Sequence, residues 1–230
     1  MPEDSPIHCG NPLFLSFFTN NNSMKTLRLS ILTLCIILCS QTSYSQNFDV
    51  NTLASIENTR TPFMNQAMEG ISFSAYIMAP AVPISILSMG LATSNPDATI
   101  GGLQIGASIL LSTATTFAMK KLLQRPRPYD SHPDVLHPLA YENSYSFPSG
   151  HTSRAFATAT SLSLQFQKWY ITVPAFLWAA TVGYSRMYLG VHYPSDVLIG
   201  IVVGMTTAYL SYKIQQWIKP QVQIPITIRF

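Results

Sequence analysis

Three groups of residues in this chain have the types and spacing to handle a phosphoryl group. The stretch from Tyr184 to Asp196 holds Arg186, His192 and Asp196 between two segments with no charged side chains. His192 and Asp196 are four apart, so one helical turn would stack them on the same face. A carboxylate there accepts a hydrogen bond from one imidazole N–H and leaves the other nitrogen free to attack or bind. Arg186 brings a planar cationic fork that suits a phosphoryl group. Upstream, Lys120 is followed after six residues by Arg127-Pro128, and Pro148-Ser149-Gly150-His151 opens an uncharged run. Lys120, Arg127 and Arg186 can supply cations to equatorial oxygens as charge redistributes in phosphoryl transfer. Ser149 reads as a helix N-cap, which would turn the backbone N–H groups of Gly150 and His151 outward where anions bind.

These residues need a scaffold, and the composition points to one in lipid. Of 230 residues, 47% are hydrophobic and 10% charged, against about 25% charged in soluble domains. The net charge of +3 is too small to argue for nucleic acid. Cys9, Cys35 and Cys39 all lie near the N-terminus, so neither a disulfide framework nor a cysteine metal site is expected. Residues 1–23 read as an upstream extension. Residues 24–45 carry Lys25 and Arg28 before an apolar run, with small residues at 43–45, and read as a signal peptide or first span. Residues 46–69 are amphipathic and suit the membrane interface.

The helical body is expected over 70–217. Gly70 to Pro96 and Ala98 to Met119 lack charge and are long enough to span, with kinks at Pro80 and Pro83 and a turn at Ser94-Asn95-Pro96-Asp97. Lys120 to Gly150 is a Pro-rich polar interruption, expected to be mostly non-helical. Ala155–Gln167, Trp169–Ser185 and Val197–Tyr212 are further uncharged runs, and Gly200 and Gly204 form a small-xxx-small pair. Residues 218–230 read as a tail in which Gln221–Phe230 alternates like a short strand. With the start of the leader held in the cytoplasm by its positive charge, counting crossings brings Lys120, the 120–150 loop, His151, Arg186 and His192 to one outer face. The expected fold is all-α, an integral membrane helical bundle of about five to six spans.

The three motifs together, Lys120 to Pro128, Pro148 to His151 and Ser185 to Asp196, resemble the type 2 phosphatidic acid phosphatase and vanadium-dependent haloperoxidase superfamily. The register has no competitor: pairing Arg125 would require a lysine at Ala118, and pairing Lys121 would put Pro128 in the arginine place. The resemblance covers about residues 50–215. It implies that His192 is a nucleophile forming a phosphohistidine, that Asp196 holds its tautomer, and that His151 is the general acid on the leaving oxygen. Lys120, Arg127, Ser149, Gly150 and Arg186 are implied to bind the phosphate. No metal and no cofactor are implied. The implied substrate is a phosphorylated lipid of the phosphatidic acid, phosphatidylglycerol phosphate or undecaprenyl pyrophosphate type, met in a bacterial cytoplasmic membrane with the site facing the periplasm. A soluble-type periplasmic acid phosphatase, a vanadate-dependent haloperoxidase and a non-catalytic lipid-binding protein are the alternatives. His132 and His137 are expected to be solvated loop residues, and Lys121, Arg125 and Arg154 interfacial or headgroup-contacting charges.

Overall fold

The computed structural model describes residues 42–218. The chain divides into compact units at residues 1–47 and 48–230. The expected upstream extension, nearly all of the leader and the tail with its alternating pattern lie outside the described residues. Those described form only helices and connections: α1 (Thr42–Glu57), α2 (Pro62–Ala92), α3 (Pro96–Leu123), the single turn α4 (Pro128–Ser131), α5 (Gly150–Phe166), α6 (Trp169–Tyr188) and α7 (Pro194–Ile218).

Local chemistry sets the boundaries. Thr61 caps α2, accepting from Met64 N at 3.3 Å, and Asn95 caps α3, accepting from Asp97 N and Ala98 N at 3.1 Å each. Each cap is followed by a proline, whose missing N–H costs nothing in a first turn. α3 carries Lys120 and Lys121 in its last turn, opposite the negative end of its dipole, and stops at Gln124 in the left-handed region. The polar interruption therefore begins one turn after Lys120, because α3 runs on to Leu123. Beyond α4, the chain up to Gly150 is non-helical, as its prolines imply. At the C-terminus of α6, Arg60 donates to the Tyr188 carbonyl at 3.1 and 2.9 Å.

α5 is the axis of the bundle. One side packs Ala155, Phe156 and Ala159 against Ala75, Ala179 and Val182. The other packs Ala157 against Ala79, Ile105 and Ile109. A helix enclosed by protein has no need of lipid-soluble side chains, so α5 is rich in Ala, Ser and Thr. Small residues let its neighbours approach closely: a Cβ added at Gly204 would lie 2.3 Å from the Ser153 carbonyl oxygen, and one at Gly200 2.9 Å from that of Ser149. Buried polar stitches join the same helices, including Ser108–Ser161 at 2.8 Å and Gln104 Nε2 to the Ala208 oxygen at 3.3 Å.

Among the described residues, three helical segments are long and apolar enough to cross a membrane: Pro62–Ala92, Pro96–Ser131 and Pro194–Ile218. α5, with 17 residues and its internal surroundings, falls outside that set, as does α6. The 46–69 segment is two pieces, α1 and the first turns of α2. Phe48 and Phe63 are exposed, whereas Asp49 and Leu53 are buried, and Leu53 packs with Leu136 and Tyr193.

Candidate active site

The C-terminal end of α3, the N-terminal end of α5, the bend before α7 and the loop 142–144 meet around a cavity of about 190 Å³. Lys120, Arg127, Gly150, His151 and His192 line it, together with Glu142, Ser144, Tyr76 and Arg154. Five of the eight residues expected at the site thus share one cavity, although they span more than seventy positions of sequence. The other three, Ser149, Arg186 and Asp196, stand behind the walls.

His192 is 2% exposed. It lies in the bend before Pro194, so no helical turn stacks it on Asp196, contrary to the expectation from their spacing. Asp196 instead sits in the first turn of α7 and reaches back. Its Oδ2 accepts from Tyr193 N at 3.0 Å and lies 3.5 Å from His192 Nδ1. Ser146 bridges the two, donating to Asp196 Oδ2 and lying 3.4 Å from His192 Nδ1. Both contacts to the ring fall on Nδ1, which leaves Nε2 without a hydrogen-bond partner among the described residues. Burial pushes the His192 imidazole down to about 3, outweighing the pull of Asp196 in the other direction. The ring is therefore neutral at physiological pH.

The other oxygen of Asp196 corrects a second expectation. Arg125 does not reach for headgroups: its Nη1 pairs with Asp196 Oδ1 at 2.6 Å and its Nη2 with Asp49 Oδ2 at 2.9 Å. Asp49, in α1, also accepts from Ser195 N at 3.1 Å. The carboxylate behind His192 is thus held by a chain of charge-assisted bonds that begins in α1.

Ser149 caps α5 as expected, accepting from Thr152 N at 3.4 Å. It is fully buried and its hydroxyl is also bonded to that of Thr152 at 2.8 Å, so the helix start meets the cavity through Gly150 and His151. The His151 ring packs edge-on to Tyr76, with centroids 4.5 Å apart. Arg127 is buried, giving hydrogen bonds to the Val191 and Ser144 oxygens at 2.7 Å each. Lys120 bonds the Tyr145 carbonyl. Arg186 is buried, bonded to Ser72 and paired with Glu142, and its Nε has no hydrogen-bond partner among the described residues. Glu142 therefore places a carboxylate on the guanidinium expected from sequence to bind a phosphoryl group.

Sequence reasoning missed Glu142, Ser146, Asp49 and the role of Arg125. The run of polar residues just before Phe147-Pro148 was a signal for the first two; nothing in sequence marks Asp49. His132 and His137 take no part in the cavity, and His137 pairs with Glu57 at 3.0 Å on the surface. Lys121 is exposed beside Phe117.

A second, apolar cleft of about 670 Å³ runs between α2 and α3, lined by Ala79, Pro83, Leu87, Leu103 and Leu110 among others. Tyr76, Thr113 and Arg154 are walls of both spaces.

The chain and its fold are similar to those of known proteins. A family profile described as PAP2 superfamily matches residues 101–220. Phosphatidylglycerophosphatase B of Bacillus subtilis is 29% identical over 171 residues, covering 70% of this chain and 79% of that one. Lipid A 4'-phosphatase of Bacteroides thetaiotaomicron is 35% identical over 79 residues, covering 34% of this chain and 35% of the relative. The chain thus spans only about a third of that relative's length. Among solved structures, a transmembrane PAP2-type phosphatidylglycerolphosphate phosphatase from Bacillus subtilis superposes with a TM-score of 0.66 at 27% identity, covering 84% of this chain and 96% of the other.

Proposed function

The chain belongs to the PAP2 superfamily, and from that premise we propose that it is an integral membrane phosphatase that removes the terminal phosphoryl group of a lipid phosphate or diphosphate. The observation that carries this reading is the junction of a small cationic cavity with a larger apolar cleft at shared walls. A phosphoryl headgroup suits the first, and an acyl or isoprenoid chain suits the second, each buried methylene contributing about 0.8 kcal/mol. A soluble ester would leave the cleft unused.

In the proposed reaction Nε2 of His192 attacks the terminal phosphorus while the bond to the bridging oxygen breaks. His151 gives that oxygen a proton as it leaves. Water then attacks the phosphohistidine, releasing inorganic phosphate and restoring His192. Asp196, held by Arg125 and Ser146, fixes the ring with Nε2 towards the substrate. Lys120, Arg127 and the α5 N–H groups at Gly150 and His151 surround the transferred oxygens. Arg186 joins them when the phosphoryl group replaces the Glu142 carboxylate, while Ser149 keeps the helix start in place. Fixed cations of this kind do the charge stabilisation a magnesium ion would supply elsewhere, so turnover proceeds without a metal. α2, α3, α5, α6 and α7 cross the membrane, α1 lies along its interface, and the cavity opens to the periplasm of a bacterial cell.

The test measures kcat/KM on lipid phosphates of decreasing chain length in one detergent, with and without a chelator, together with acid-quench trapping. Efficiency falls with each shortening, the chelator has no effect, and His192→Ala abolishes both turnover and the acid-labile phosphoenzyme. Flat efficiency down to a water-soluble headgroup would return the protein to the general acid phosphatases, and chelator inhibition reversed by magnesium would remove the metal-free scheme.

A further inference from the structure

We infer that Arg154 binds a second phosphate, on the chain side of the scissile bond, and so selects lipids that carry one. This rests on the phosphatase reading above and adds to it a substrate feature and a residue outside the three motifs. Arg154 is one helical turn beyond His151 on α5, so both project from the same face. The Tyr76 ring lies under both: His151 is edge-on to it, and the Arg154 guanidinium stands 4.9 Å from its centroid. His151 is at the leaving oxygen, and Arg154, next along the helix, is at the boundary where the polar cavity becomes the apolar cleft. Whatever joins the leaving oxygen to the lipid chain must pass it.

The state of the guanidinium says what that group is. The other cations of the site are engaged, Arg127 with backbone carbonyls and Arg186 with Glu142 and Ser72. No carboxylate pairs with Arg154 among the described residues, and its buried Nε has no hydrogen-bond partner. Of the two polar side chains that could help it at the shared wall, Thr113 gives its hydroxyl to the Ile109 carbonyl at 2.8 Å, and Tyr76 offers its ring face. A half-buried guanidinium facing an apolar cleft with unused donors is costly unless an anion arrives. Arginine matches the paired oxygens of a phosphate with parallel donors. In a lipid diphosphate that phosphate is the leaving group itself; in phosphatidylglycerol phosphate it is the diester a glycerol away. A lipid monophosphate has none.

The experiment uses the full chain in detergent with two substrate pairs: geranylgeranyl diphosphate against geranylgeranyl monophosphate, and phosphatidylglycerol phosphate against phosphatidic acid. Arg154→Gln lowers kcat/KM about tenfold or more for the doubly phosphorylated member of at least one pair, while the single phosphate of that pair changes less than about twofold. Arg154→Lys, which keeps the charge and loses the fork, recovers part of the loss. Which pair responds tells diphosphate from diester. Single-phosphate turnover also reports that the variant is folded. Equal losses on both members of each pair would mean that Arg154 merely supports His151, and loss on neither would mean it binds no phosphate; each overturns the inference alone. Wild-type protein inert towards all four lipids would instead overturn the phosphatase reading beneath it.

Discussion

Glu142 is the residue whose position most constrains how the site fills. Its carboxylate holds Arg186 from the 132–149 loop and lines the cavity. An anion entering the cavity has to compete with it for the same guanidinium, and a carboxylate and a phosphate share the same fork geometry. Glu142→Gln keeps the shape and removes the competing charge. Inhibition by vanadate should therefore tighten, by about two- to fivefold, if a few tenths to about one kcal/mol of ion pairing is released. A vanadate titration of the two proteins reads this directly, and weaker inhibition in the variant would show that Glu142 assists the anion rather than excluding it.

The packing of α5 against α7 decides whether the ends that carry His151 and Asp196 stay together. Ser149 N donates to the Asp196 backbone carbonyl oxygen at 3.1 Å, so the two helix starts are bonded to one another directly. That close approach depends on glycine. A Cβ at Gly204 would meet the Ser153 oxygen at 2.3 Å and Ala157 N at 2.9 Å, both backbone atoms that cannot rotate aside. Gly70, in α2, has nothing within 4 Å of the same added atom. Gly204→Ala should cost about 1–3 kcal/mol through overpacking, whereas Gly70→Ala should be neutral or slightly stabilising because alanine is the better helix former. Thermal unfolding in detergent separates them: a clear drop in midpoint for the first and none for the second. Equal midpoints would mean that the α5–α7 contact has slack the geometry does not show.

On the largest scale, the described side chains that line the polar cavity gather at one end of the bundle, where α3, α5, α6 and α7 turn, and the proposed orientation puts that end outside the cytoplasm. In a background without native cysteines, Asp134→Cys, in the loop beside the site, should react with an impermeant thiol reagent in intact cells. Lys168→Cys, in the connection at the far ends of α5 and α6, should react only after lysis. The reverse pattern would turn the protein over. Much of this was legible beforehand. The three motifs, the long uncharged runs, the turn at 94–97 and the cap at Ser149 are local signals, because spacing and side-chain type act within a few residues of chain. They determined an all-α bundle, the family, and which cations and histidines to bring together. Only the tertiary structure decided who holds them. Asp49, Arg125, Ser146 and Glu142 act through bonds to residues far along the chain, and such pairs leave no periodicity for a sequence to reveal. The same holds for α5, which reads as a weak span because its partners are helices rather than lipid, and for Arg154, an ordinary charge in sequence that the fold sets on the boundary between two cavities.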